Sequence, residues 1–399
     1  MERFFIQYYS ENNWYYRKNM PLPKWHFRNG FSSSYKKIKN YGDFIWLQSG
    51  SEIPITSGEV YVSLSYEIDG LNQIKKCAAE NPNIKFILGG PLFSFERNFK
   101  IESNNIKVYK KRVEDYFNIP YNPDNWGLEL PKGFDNIGYD VSVINGVGCS
   151  WGKCTYCKWS EFHKNKDYGV LKINRFPIVE YPGIKNIWIH SASLQLNKLK
   201  ECFFKIPNRD DVNYCFYIRA DETTYKELKA ILPKIKCNPD KLFVAIGVEL
   251  PDNHILNYIK KGTTKEIMLK TIKLLVDYGC QIHLTLIDKW NNLTEEIVNN
   301  VIDWFNKFQE IYDEDKTSAI LYKLEIVEGR EIFKNPPGPI AFSREVNGLK
   351  IYNCVLDEQQ VFLNDILRKK YKEIFKENLL ESSDKNHSFC NRNYRKGEE

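Results

Sequence analysis

Three thiols fall within one stretch of the chain, Gly146–Trp159, which reads GVGCSWGKCTYCKW. Cys149, Cys154 and Cys157 are separated by four and then two residues, with glycines and aromatics between them. Thiolates are nucleophiles and metal ligands, and three so close together are a poor packing solution. Three chemistries compete. A disulfide suits neither the odd number nor a reducing compartment. Zinc takes four tetrahedral ligands, and Cys149, Cys154 and Cys157 with His163 have the right types. Structural zinc, however, usually joins two separated pairs. An iron–sulfur cluster fits the four-then-two spacing, which in plant-type ferredoxins continues to a fourth cysteine. The next cysteine here, Cys202, falls in a helical pattern and is poorly placed to close a cluster. A cluster on this loop would have three protein thiolates and one iron open to a small molecule.

The elements around the loop form a regular array. Strand patterns occur at YDVSVING before the loop, NIWIHS (186–191), NYCFYIRA (213–220), KLFVAIGVEL (241–250), QIHLTLID (281–288) and AILYKLEIV (319–327). Helical patterns alternate with them, among them LQLNKLKECFFKI, TTYKELKAILPKI, TKEIMLKTIKLLVDYG and TEEIVNNVIDWFNKFQEIY. Six strands alternating with helices predict a parallel sheet with right-handed crossovers. Six units make a partial (β/α)6 TIM-like barrel or an open doubly wound sheet. In both, chemistry sits at the carboxyl ends of the strands, where the cysteine loop leaves the first strand.

The expected fold class is α/β, with the partial barrel over 140–330. Residues 1–110 read as a small α/β, Rossmann-like domain, with strands at DFIWL, VYVSLSY and IKFILGGP and a helix at GLNQIKKCAAEN. Residues 111–139, rich in Pro, Asn and Gly, read as a linker. Residues 331–399 read as a C-terminal extension: FKNPPGPIAF irregular, then a helix, then a polar tail.

Composition excludes some classes. Lys and Arg number 57 against 51 Asp and Glu, a net charge of +6 over 399 residues. With no polybasic block, a nucleic-acid partner is not expected. No apolar run reaches the ~20 residues of a membrane span, and the N-terminus lacks a signal-peptide core, so a cytoplasmic location without a membrane partner is expected. Cys77, Cys202, Cys215, Cys237, Cys280, Cys354 and Cys390 stand singly, most of them as buried small hydrophobes. His190 and His283 read as core histidines.

The cysteine triad, with Tyr156 before its last member and at the end of the first strand of a βα array, resembles the radical S-adenosylmethionine (radical SAM) superfamily. IGVELPDNHILNYIKKGTT (246–264) resembles that family's fourth-strand region. The usual family spacing is three then two residues; here it is four then two. The resemblance covers about 140–330. It implies that Cys149, Cys154 and Cys157 hold three irons of a 4Fe-4S cluster. The fourth iron would bind the amino and carboxylate groups of S-adenosyl-L-methionine. One electron, delivered by a reductase or a flavodoxin or ferredoxin donor, would cleave the cofactor to a radical that abstracts hydrogen from an unactivated C–H bond.

The resemblance also implies cofactor contacts. Tyr156 would lie near the adenine. Glu249 would accept from the ribose hydroxyls or the ammonium, and Arg219 would pair with the carboxylate. Ser191, with Ser193, stands after the second strand, where many members carry Gly-Gly-Glu; that motif is absent. IKFILGGPLFS looks like the closing strand and turn of a cobalamin-binding domain, so residues 1–110 read as a degenerate domain of that kind or as one serving substrate recognition. The Asp-x-His-x-x-Gly motif is missing, and His26 precedes every strand candidate. Cobalamin, if bound, is therefore expected to lack a histidine beneath the cobalt. CSWGKCTYC resembles the cysteine loop of peptide-maturation members, which implies a ribosomally made peptide substrate and methylation or another C–H functionalisation. An RNA- or small-molecule-modifying enzyme is the alternative within the family. A non-catalytic zinc-binding protein is the alternative outside it.

Overall fold

Alternation along the first strand, β1 (Arg3–Glu11), places Phe5 in one core and its neighbour Ile6 in another. The computed structural model describes residues 1–11, 25–29, 31, 35–64, 68–90, 101, 103–109, 113–120, 139–144, 149, 151–157, 183–190, 206, 208–346 and 349–381. The chain divides into two units: 1–13, 21–147 and 165–191 form one, and 14–20, 148–164 and 192–399 the other.

In the first unit, β1 pairs antiparallel with β2 (Trp25–Asn29) and parallel with β3 (Asp43–Gln48) and β4 (Gly58–Ser63). β4 continues in parallel to β5 (Ile84–Gly89) and β6 (Ile106–Val108). The helix Ile68–Glu80 is the crossover from β4 to β5, and its Leu71, Ile74, Cys77 and Ala78 pack with Ile6, Val60 and Phe86. On the other side Phe5 stacks on Phe44 and Tyr61, with ring centroids 5.0 and 5.1 Å apart. β2 pairs in parallel with β7 (Tyr139–Ile144), and β7 with β8 (Ile184–His190). The sequence reading lacked β1 and β2. Aromatic and polar residues run through both, and β1, whose Phe5 and Ile6 enter cores on its two faces, shows no polar–apolar alternation. His26 is accordingly corrected: it lies inside β2, after β1, rather than ahead of every strand.

In the second unit, β9 (Asn213–Ile218), β10 (Leu242–Glu249), β11 (Gln281–Asp288) and β12 (Thr317–Lys323) run parallel in that order. The short β16 (Leu379–Glu381) adds to β12. The helices Glu222–Ile231, Asn253–Tyr258, Lys265–Asp277 and Glu295–Gln309 follow β9, β10 and β11 in turn. Each opens on a side-chain cap, from Asp221, Asp252, Thr264 and Thr294. All six strand candidates of 140–330 are strands. The last is corrected in extent: 319–327 is β12 followed by β13 (Glu325–Val327), which leaves for a second sheet. That antiparallel sheet has the order β13-β15-β14, with β14 (Ile340–Val346) and β15 (Leu349–Cys354). The region read as irregular thus leads into a hairpin, because the prolines at 336, 337 and 339 end before β14 begins. The helix Glu358–Phe375 follows as expected.

The fold class is α/β, with the βα units of a partial TIM-like barrel, a Rossmann-like N-terminal layer and a C-terminal helical extension. Among the described residues no helix is long and apolar enough to cross a membrane.

Candidate functional site

β10 ends in an irregularity. Its register against β11 shifts between Gly247 and Glu249, and such a bulge re-aims the side chain that follows. Glu249 leaves the strand at φ +63°, in the left-handed region where a non-glycine residue persists only if its surroundings hold it. Two groups do so. Lys261 Nζ donates to Glu249 Oε1 at 2.6 Å, and the Tyr156 hydroxyl donates to the same oxygen at 2.8 Å. A Cβ on Gly247 would lie 2.6 Å from that oxygen and 2.7 Å from Lys261 Nζ. Glycine there leaves the space that the ion pair fills.

Lys261 comes from the turn after the helix Asn253–Tyr258. Asp252 caps that helix, accepting from the His254 and Ile255 amides at 2.9 and 3.1 Å. Lys260 and Gly262 on either side have φ +52° and +68°, so the chain reverses sharply and delivers the lysine inward.

The cysteine loop is tied to the same turn. The Thr155 amide donates to the Ile259 carbonyl at 3.0 Å, and the Ile332 amide to the Thr155 carbonyl at 3.2 Å. Trp151 Nε1–H donates to the Lys260 carbonyl at 2.7 Å. The Cys157 amide closes a tight turn on the Cys154 carbonyl at 3.3 Å. All three cysteines are partly exposed, and Cys154 and Cys157 are joined by the main-chain bond of that turn.

Arg219, just past β9, reaches the same place. Its Nη2 donates to the Lys261 carbonyl at 2.7 Å and lies 3.5 Å from Asp221 Oδ2. Its guanidinium sits 4.6 Å over the Trp151 ring.

Electrostatics follow from this packing. Burial opposes the charge on Lys261, but Glu249 and then Cys154 outweigh it and hold the ammonium above its ordinary pKa. Burial, reinforced by the Glu249 charge, pushes the Tyr156 hydroxyl well up. At neutral pH Lys261 is cationic and Tyr156 is a protonated donor. Burial also raises the Cys154 thiol, while Lys261 and Arg219 pull it down.

Four of the residues singled out in the sequence, Cys154, Tyr156, Arg219 and Glu249, therefore meet at the carboxyl ends of β9 and β10. Cys149 lies within electrostatic range of Cys154, and Cys157 of Tyr156. Ser191, Ser193, His163 and Cys202 lie outside the described residues. His283 is a core residue as expected: its Nδ1 lies 2.9 Å from Ser318 Oγ and its ring stacks on Phe243. Sequence reasoning missed Lys261 and Trp151. The signal for Lys261 was a lysine before a glycine at a helix end; the signal for Trp151 was an indole inside the cysteine spacing. Among the described residues no three His, Cys, Asp or Glu side chains converge on one metal-ion position.

No protein-family model matches the sequence, and no curated protein matches it. Solved structures do. The structure of the cobalamin-dependent S-adenosylmethionine radical enzyme OxsB with aqua-cobalamin bound superposes with a TM-score of 0.56 at 11% identity, covering 92% of this chain and 66% of that one. OxsB with aqua-cobalamin and S-adenosylmethionine bound gives 0.55 at 12% identity, with the same coverage. The radical S-adenosylmethionine methyltransferase TsrM from Kitasatospora setae, with cobalamin and a 4Fe-4S cluster bound, gives 0.51 at 14% identity, covering 81% of this chain and 75% of that one. The chain thus shares their fold and spans about two thirds of the OxsB length.

Proposed function

We propose that this chain is a radical SAM enzyme, with Cys149, Cys154 and Cys157 as the ligands of a 4Fe-4S cluster. The observation that carries the reading is the docking of the cysteine loop, through Trp151 and Thr155, onto the turn that delivers Lys261 to Glu249. It occurs in a fold shared with enzymes whose structures hold that cluster and that cofactor. The donor set fits the cluster: three partly exposed thiols stand on one loop, and two cations, Lys153 and Arg219, lie over that loop's Trp151. When bound, the cluster supplies the electron that cleaves a carbon–sulfur bond of S-adenosylmethionine.

The remaining chemistry belongs to the protein. Glu249 offers a carboxylate to hydroxyl or ammonium donors of the cofactor. Tyr156 and Lys261 fix that carboxylate's orientation and keep it from swinging into solvent. Arg219 has Nη2 committed to the Lys261 carbonyl, so a cofactor carboxylate would be met by the rest of its fork. How Ser191 takes part in holding the ammonium is part of the same proposal.

Cobalamin belongs to the proposal too, in the Rossmann-like layer. That layer fits a polar group brought to the carboxyl ends of its strands. Gln7 is level with the end of β4, 2% exposed, and neither amide atom has a hydrogen-bond partner. Gly90, after β5, has φ +96°, and a Cβ there would lie 2.6 Å from the Leu64 carbonyl. The substrate is proposed to be a peptide, as the CSWGKCTYC loop implies, and the reaction methylation or another C–H functionalisation, with a flavodoxin, ferredoxin or reductase as electron source.

The test is anaerobic reconstitution. The wild type should take up about four irons and four sulfides per chain and, with dithionite as electron source, cleave S-adenosylmethionine to methionine and 5′-deoxyadenosine. Replacing the three loop cysteines with alanine should abolish both. Unchanged iron in that variant overturns the assignment, and a colourless wild type that takes up zinc instead favours the non-catalytic reading.

A further inference from the structure

Trp151 does more than fill space between two cysteines. Its indole occupies the position where Gly262 would carry a side chain: a Cβ there would fall 2.1 Å from the ring. Its N–H holds the Lys260 carbonyl at 2.7 Å. Two cations approach the ring, Arg219 at 4.6 Å and Lys153 at 4.8 Å, within the distance at which a ring face attracts a cation. Arg219 in turn holds the Lys261 carbonyl at 2.7 Å. Tryptophan and arginine therefore grip one three-residue turn from two elements, and each limits the other's freedom.

This arrangement leaves one group without a partner. Arg219 Nε is buried and has no acceptor. A buried guanidinium N–H without an acceptor is destabilising. Arg219, stacked on Trp151, and Lys261, whose turn Trp151 holds, both lie against the cysteine loop, but Lys261 is matched by Glu249 at 2.6 Å. Arg219 has only a longer contact, 3.5 Å, to Asp221, whose other oxygen caps the helix Glu222–Ile231. The less compensated cation next to the cysteine loop is thus the arginine stacked on Trp151.

We propose that Trp151 and Arg219 form one positioning unit, in which the indole holds the guanidinium against the cysteine loop so that its charge and spare N–H raise the reduction potential of the cluster. Positive charge and donated hydrogen bonds near cluster sulfurs stabilise the reduced, more negative state. Neither residue is a ligand, and neither touches the metal through its own bonds. The inference rests on the 4Fe-4S reading of the three cysteines. It is separate from the meeting of Arg219 with the cofactor carboxylate, which acts on cofactor affinity and leaves the potential of the cofactor-free cluster alone.

The test measures the midpoint potential of the reconstituted protein by redox titration with electron paramagnetic resonance, together with iron content and S-adenosylmethionine affinity. Arg219→Met should keep the wild-type iron content and shift the potential to more negative values. A tenfold fall in the reduced-to-oxidised ratio corresponds to about 59 mV for a one-electron couple, and at least that is expected. Trp151→Leu should shift it in the same direction, and the double variant should add little, because the two residues act as a unit. Trp151→Phe, which keeps a ring, should retain most of the wild-type potential. If Trp151→Leu takes up no iron, Trp151→Phe and Arg219→Met carry the comparison. A wild-type potential in Arg219→Met overturns the proposal, and if cofactor affinity falls at the same time the carboxylate role replaces it. A wild type that takes up no iron overturns the cluster reading itself. The grip of Trp151 on the turn is then read separately in the metal-free protein: Trp151→Leu should speed alkylation of Cys149 and Cys157, and an unchanged rate means no such grip exists.

Discussion

Glu249 and Lys261, on opposite sides of the short helix Asn253–Tyr258, form an ion pair at 2.6 Å in which each side chain is only 10% exposed. Their joining closes the loop between strand end and helix end, and the Tyr156 hydroxyl ties the cysteine loop to it. Taking one partner from a buried pair strands the other charge, so Lys261→Met should destabilise the protein by about 3–5 kcal/mol. Glu249→Gln combined with Lys261→Met should cost less than the sum of the single changes. Urea unfolding of the four proteins of this cycle measures it.

Glu249→Gln keeps the shape of the side chain and removes its charge. If the carboxylate meets S-adenosylmethionine, cofactor affinity should fall by about 1–3 kcal/mol, the range of a hydrogen bond to a charged group. Isothermal titration of the reconstituted protein reads this directly. Equal affinity would leave Glu249 with a structural role only.

Cys237 and Cys280 should be inert in the native protein. Burial pushes their thiols up to about 11 and about 12, and only the thiolate reacts. Iodoacetamide at pH 8 should alkylate the loop cysteines of the metal-free protein and spare these two, with peptide mass spectrometry as the readout. Because their folded values are raised above the ordinary 9.0, the stability they contribute is present below about pH 9 and declines as pH rises toward the folded values.

Glu59 on β4 sets an acid dependence for the N-terminal layer. Burial acts to raise its pKa, but Lys85 Nζ at 2.6 Å, the Tyr61 hydroxyl at 2.8 Å and Arg3 Nε at 3.3 Å prevail and hold it below 4.5. A depressed carboxyl contributes stability above its unfolded value and loses it as pH falls through its folded value. Glu59→Gln should be less stable at pH 7 by about 1–2 kcal/mol, a figure reduced because Arg3 and Lys85 are half exposed. The deficit should begin to shrink below the unfolded value of about 4.3 and vanish only once pH has fallen through the lower folded value, as denaturant titrations across the acid range would show.

The helix Glu358–Phe375 reads the backbone after β11 through one face. Gln360 and Leu293 exchange hydrogen bonds at 2.7 and 2.9 Å, Asn364 and Trp290 at 3.0 and 2.7 Å, and Arg368 pairs with Asp288. These side chains recur every fourth residue, the spacing of one helix face. Asn364→Leu leaves the Trp290 amide and carbonyl buried without partners and should cost about 2–4 kcal/mol. Asn364→Asp keeps the acceptor and should cost less, as thermal unfolding would report.

The local code was legible where one segment decides its own state. Leu242–Glu249 is apolar along nearly its whole length because a central parallel strand is buried on both faces, and Thr264 and Thr294 cap their helices through their own side chains. The cysteine spacing carried its chemistry in the same way, since ligand type and interval lie within one loop. β1 and β2 were not legible, because strands of mixed aromatic and charged composition are fixed by the partners they meet. The hairpin of β14 and β15 was hidden for the same reason behind a proline-rich approach. At the site, the order of residues along the chain already shows which thiols, which strand end and which glycines stand together. Folding alone turns Lys261 inward to Glu249, brings Tyr156 to the same oxygen, and sets Trp151 in the space that a Gly262 side chain would take. Those contacts join residues about 100 positions apart or opposed across a left-handed turn. No periodicity encodes them; they exist because a buried charge must find its counter-charge and a close-packed turn leaves room for one ring.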